Sequence, residues 1–126
     1  MKAIEIEAAS APKATTYAQA VEVTGASRWL FVSGQIPAGR EGTVPERFED
    51  QSRLAWCNVL AQIEAAGMTV DNLVKVTIFL ADRDHIDAYR RTRDEALGGR
   101  RVALTTIVTG IFDTDWQIEI EALAAA

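Results

Sequence analysis

Ile4-Glu5-Ile6-Glu7 alternates apolar and acidic positions, the period-two signature of a strand with one covered face. Ala18 to Val23 alternates less regularly. Thr24-Gly25-Ala26-Ser27 then supplies small turn residues ahead of Trp29-Leu30-Phe31-Val32, a run of large strand formers, and the two stretches together suggest a hairpin. Ser33-Gly34-Gln35 closes the second of them, and the segment from Pro37 to Pro45, with two prolines and two glycines, reads as a loop.

From Phe48 the period changes. Trp56, Val59, Leu60 and Ile63 fall at i, i+3, i+4 and i+7, with charged residues on the other faces, so an amphipathic helix of about four to five turns is expected. Gly67 suits its C-terminal stop. Leu73 to Leu80 is the strongest strand: Val74, Val76, Ile78 and Leu80 share one face, Leu73, Lys75, Thr77 and Phe79 the other. Asp82 or Asp84 can cap a second, shorter helix whose inward stripe is Ile86, Tyr89, Arg93, Ala96 and Leu97, and Gly98-Gly99 stops it. Val102 to Val108 and Gln117 to Ala122 are the last strands, joined through Gly110 to Trp116. The order is β-β-β-α-β-α-β-β, an α+β sandwich with both helices on one face of a mixed β-sheet. Leu73 and Phe79 on the opposite face favour a homo-oligomer.

At 126 residues the chain makes one domain, 1–126, and its 48% apolar and 25% charged composition is that of a globular protein. A net charge of -5 works against general nucleic-acid binding. One cysteine and one histidine leave neither an internal disulfide nor a zinc cluster, so no metal is expected. With no long apolar run and no signal-peptide pattern, the expectation is a cytoplasmic protein with no membrane partner. Phosphate-loop, dinucleotide, nucleophile-elbow and zinc-protease motifs are all missing.

Individual residues leave several chemistries open. Cys57 and His85 are formally a nucleophile and a base, but their positions read more simply as a small filler and a surface residue. Glu119 and Glu121 lie two apart on a strand and share a face, which fits a solvated surface or a carboxylate that orients water. Gly34, between Ser33 and Gln35, would let a ligand approach the backbone, although a plain strand exit is the simpler explanation of the tripeptide alone. Arg90, Arg91, Arg93, Arg100 and Arg101 concentrate positive charge that a solvated helix and turn, or an anion, would satisfy.

Ser33-Gly34-Gln35-Ile36-Pro37, the helix ending Asn58 to Gly67, the strand Val74 to Leu80 and the terminal Ile118-Glu119-Ile120-Glu121-Ala122 together resemble the RidA (YjgF/YER057c) family across nearly the whole chain. The resemblance implies a chorismate-mutase-like fold, a homotrimer with small-molecule clefts between subunits, and hydrolysis of 2-imino acids or their enamine tautomers without metal or organic cofactor. In that family a strand arginine grips the substrate carboxylate and a glutamate on the last strand positions water. Glu119 matches the glutamate. Counting back without gaps, the family's Pro-Ala-Arg-Ser falls on Val102-Ala103-Leu104-Thr105, so Leu104 stands where the arginine would. Tyr17 matches a cleft aromatic, Ser33 and Gly34 a backbone approach, and Thr106 a backbone N–H donor beside Thr105.

Arg101 would reach the Leu104 position only by a three-residue slip that turns the strand over. Arg100 has the right parity but would lie about 13 Å away at roughly 3.3 Å per residue. Arg90, on the second helix, is the better substitute. Losing a charge-assisted fork from a shielded cleft costs on the order of 2 to 5 kcal/mol, or roughly 30-fold to several thousand-fold in affinity. The expected function is therefore imine or enamine deamination with a preference altered by Leu104. The alternative is a non-catalytic small-molecule-binding or regulatory trimer. An endoribonuclease or translation inhibitor is disfavoured by the net charge and by the lack of a histidine pair.

Overall fold

The computed structural model describes residues 1–126. It contains β1 (Lys2–Ile6), β2 (Ala20–Thr24), β3 (Trp29–Gln35), α1 (Phe48–Ala65), β4 (Leu73–Leu80), α2 (Ile86–Leu97), β5 (Ala103–Val108) and β6 (Ile118–Ala125), in the order the patterning predicts. Four strands form a mixed sheet in the order β3-β6-β4-β5, with β4 and β5 parallel and the other pairs antiparallel.

The expected hairpin between the second and third strands does not form. β2 pairs with β1, Ile4 opposite Glu22, while β3 pairs with β6. Burial explains the choice. β3 buries Val32 and half-buries Leu30, which oppose the small residues Ala122 and Ala124 of β6. β2, half-buried only at every second position, needs just one covered face. The β1–β2 ribbon instead approaches the free edge of β5, where Ala18 N donates to Val102 O at 2.9 Å and Ala18 bridges Ala103 in parallel.

α1 turns Trp56, Val59 and Ile63 onto the sheet, and α2 turns Tyr89 and Leu97 onto it, where they meet Val76, Ile78, Leu80, Ile118 and Ile120 in one core. Full burial of each such aliphatic side chain stabilises the fold by roughly 1.5–3 kcal/mol. α1 stops where Gly67 takes a left-handed φ of 73°. Asp82 caps a short 3-10 turn, Arg83–His85, that feeds α2, and Gly98 closes that helix in the left-handed region. The two helices are tied internally by a buried Ser52–Thr92 hydroxyl pair at 2.7 Å. Outside, Glu49, Arg53, Arg91 and Glu95 form exposed ion pairs, each of small worth.

Buried Gln51 pins the loops around the sheet's lower end. Its amide donates to Pro45 O and Asp115 O at 2.8 and 3.0 Å, and its carbonyl accepts from Gln117 N at 2.8 Å. The clamp thereby fixes the approach to β6 and its glutamates.

The sheet face away from the helices is uncovered within the chain. Phe31 is 79% exposed and Trp29 49%, with Ile107 at 41% farther across. Lys75 on this face donates to Thr105 Oγ1 at 2.6 Å. Burial pushes its ammonium below the ordinary lysine value, and Glu121 opposes that shift. No helix is long and apolar enough to cross a membrane.

Candidate functional site

Strand register decides which candidate residues can meet. Val76 pairs with Leu104, and Ile78 with Thr106 and Ile120, so Leu104 and Thr106 lie on the helix-covered face. Phe79 pairs with Ile107 and Glu119, and Thr77 with Thr105 and Glu121, which puts both glutamates and Thr105 on the open face. Within one chain, Leu104 and Glu119 look to opposite sides of the sheet.

On the helix side, Tyr17, Leu104, Thr106, Tyr89, Arg90 and Arg93 border a cavity of about 310 Å³ between α2 and β5. Tyr17 and Leu104 are half-buried and Arg90 is exposed. Tyr89 Oη and Thr106 Oγ1 are 2.5 Å apart. β5 is an edge strand, and Val102 O turns outward to accept from Ala18 N, whereas Thr109 N turns inward to Leu80 O. Alternation from these anchors leaves the Thr106 N–H on the free edge, beside the cavity.

On the open side, the Glu119 carboxylate lies over the backbone of Gly34. A Cβ at Gly34 would sit 2.9 Å from Glu119 Cδ and nearer still to Oε2, so the absence of a side chain creates this seat. Glu119 is half-buried and takes part in none of the chain's ion pairs. It borders a second hollow of about 210 Å³ with Phe79, Gly110 and Phe112. Ser33 is exposed at the irregularity between Val32 and Gln35, where the β3–β6 register shifts.

The remaining candidates lie elsewhere. Cys57 is exposed and fills no core gap. His85 is no plain surface residue: it stacks on Phe48 with ring centroids 4.1 Å apart, and its Nε2 lies 3.2 Å from Gln117 Oε1. Arg100 pairs with Asp71, and Arg101 forks onto Glu5 at 2.7–3.1 Å, holding that carboxyl below the usual range. Neither borders the Leu104 cavity. The sequence shows Arg93 both on the inward stripe and among the arginines that could meet an anion; it is 4% exposed and walls the cavity. A charged residue on an apolar helix face was the signal that could have marked it.

No group of three His, Cys, Asp or Glu side chains is gathered as a metal site. The geometry offers a carboxylate free to hold water on one side of the sheet. On the other side it offers an aromatic and apolar wall with hydroxyl, backbone and guanidinium donors.

Known proteins share this architecture. A family model described as endoribonuclease L-PSP matches residues 8–126. "Putative reactive intermediate deaminase TdcF" of Escherichia coli strain K12 is 32% identical over 124 residues, 94% of each chain. The crystal structure of E. coli TdcF with bound serine superposes with a TM-score of 0.73 at 30% identity, covering 98% of both chains. A Rid-family protein of unknown function from Yersinia pestis, YyfB, has a TM-score of 0.86 over the full length of both chains, at 19% identity, a likeness of fold alone. With a match over nearly its whole length and a helix-on-sheet fold shared with those structures, the chain belongs to the endoribonuclease L-PSP family, the group that includes the RidA, YjgF and RutC proteins.

Proposed function

We propose that the protein hydrolyses reactive imines or their enamine tautomers in clefts formed between three copies of the chain. Glu119 over Gly34 in one copy would face the Tyr17, Leu104 and Thr106 wall of the next. The observation that carries this reading is the Glu119 carboxylate seated on side-chain-free backbone, half-buried and without an ion-pair partner. Such a group can accept a proton from water as the water oxygen bonds to the imine carbon, then return it to the departing nitrogen, so that C=N and water become C=O and ammonia. The exposed apolar face carrying Trp29 and Phe31 supports assembly, because a second copy that covers it would also bring the two half-sites together.

Leu104 supports a second reading, a trimer that binds a small molecule without turning it over, since its side chain adds apolar wall and no donor. Ribonuclease chemistry draws less support: the only histidine is engaged with Phe48 and Gln117, and the chain's net charge is -5.

The test is ammonia release, with semicarbazide trapping of the imine, from a panel of imines generated in place. Wild type is expected to exceed the buffer rate, and Glu119→Gln to fall by about 10²-fold or more, the usual scale for a positioned proton-transfer group. Equal rates for the two proteins would overturn the hydrolytic reading.

A further inference from the structure

Arg93 sits on the buried stripe of α2, one turn beyond Tyr89, with its side chain only 5% exposed. A guanidinium cannot shed its charge, so burying it demands partners. Those present are incomplete. Nε and Nη2 both donate to a single oxygen of Asp94, at 3.1 and 3.0 Å, and Nη1 has only a 3.5 Å contact to Tyr89 Oη. The Tyr89 ring lies 5.5 Å from Cζ, close enough for a cation–π contribution. Asp94 is the neighbouring residue, and its side chain is 63% exposed. A purely structural pair would bury both charges; here the cation is buried and its counter-ion remains in solvent.

Of five N–H donors, the bond to Nε and one bond to Nη2 are used. Three donors remain, two on Nη1 and one on Nη2, with one long contact among them, and the end-on pair, one from each Nη, has the spacing that forks a carboxylate. Arg93 borders the same cavity as Leu104, Thr106 and Tyr17. Apart from Thr16 and the exposed Arg90, the other walls are aromatic or apolar, and the Thr106 hydroxyl is already joined to Tyr89. One buried cation among such walls matches a singly charged planar anion better than a phosphate dianion.

We propose that Arg93, a helix residue, is the carboxylate-recognition group of this cavity, doing from α2 what Leu104 cannot do from β5. The ligand class is a small carboxylate with an apolar tail, the imine of a 2-oxo acid where the cleft is catalytic. The catalytic part rests on the hydrolytic reading above; the recognition itself does not.

The test is calorimetric binding of 2-oxobutanoate and of its methyl ester to the full-length protein at constant ionic strength, with inorganic phosphate as a third probe. Wild type is expected to bind the acid at least about tenfold tighter than the ester, and phosphate more weakly than the acid. Arg93→Gln erases the acid preference, whereas Arg91→Gln, which removes the same formal charge from the outer helix face, preserves it. Should Arg93→Gln fail to fold, Arg93→Lys keeps the charge without the planar fork and is expected to lose about tenfold in acid affinity. Equal binding of acid and ester by wild type overturns the proposal. So does an acid preference that survives Arg93→Gln, with its loss in Arg90→Gln then assigning recognition to Arg90, and so does tighter binding of phosphate than of the acid. Acid preference without any imine turnover would sink the hydrolytic reading alone; Glu119-dependent turnover without acid preference would sink only the role of Arg93.

Discussion

Gly34 has no side chain, and the Glu119 carboxylate occupies the space one would fill. Gly34→Ala is therefore a test of position that leaves the acid itself intact. The group that must yield is the flexible end of a glutamate, so the fold should survive with its melting temperature within a few degrees. A displacement of about 1 Å is enough to cost on the order of 10²-fold in rate. Ammonia release from imines, compared with a thermal melt of the same preparation, checks both halves. Turnover unchanged in the alanine variant would show that the seat has no bearing on chemistry. Residues 34 and 119 are far apart in sequence, and only the β3–β6 pairing with its irregular register brings them together. Their types were legible as candidates; their contact was not, because a bulge is a property of two strands and neither one declares it.

At the scale of elements, the helices and most strands could be read from periodicity, since Trp56, Val59 and Ile63 repeat at helical spacing and all three are buried. The pairing of β2 was misread because alternation says that a strand has a covered side and not which neighbour covers it. Gln51 escaped notice for a related reason: a glutamine near a helix start looks like surface, and two of its three backbone partners come from the distant loop before β6, the third from the loop just ahead of its own helix. Gln51→Met should leave Pro45 O, Asp115 O and Gln117 N without it as partner, destabilising the protein by about 1–3 kcal/mol. Urea unfolding gives the measurement, and an unchanged midpoint would mean that water replaces the clamp. Arg93 shows the same limit on the site itself. Its position on the inward stripe was evident, but the exposure of Asp94 and the free edge of its guanidinium exist only once α2 is packed on β5.

For the whole molecule, the open sheet face is where the proposed assembly would form. Phe31 and Trp29 are more exposed than a stable monomer needs, and Ile107 lies on the same side of the sheet. Phe31→Lys should leave the single chain's secondary structure intact, because that side chain buries little of itself within the chain, while placing a charge where copies would meet. Light scattering coupled to gel filtration is expected to show wild type at three chain masses and the lysine variant at one, with imine turnover lost in the latter. A wild-type protein that elutes as one chain would dismantle the shared cleft. The sequence itself pointed to this face through Leu73, Phe79 and small or β-branched neighbours; the register shift after Leu73 instead puts that side chain in the core, and Phe79 is half-buried.

Because neighbouring positions of a strand look to opposite sides, Glu119 and Leu104 of one polypeptide would belong to different crevices of the proposed assembly. There, a copy whose acid is spoiled would still lend a sound wall to its neighbour, and a copy with a ruined wall would still lend its acid. If the proposed three-copy assembly forms, blending two separately crippled proteins, one altered at Glu119 and one at Leu104, should restore some working crevices.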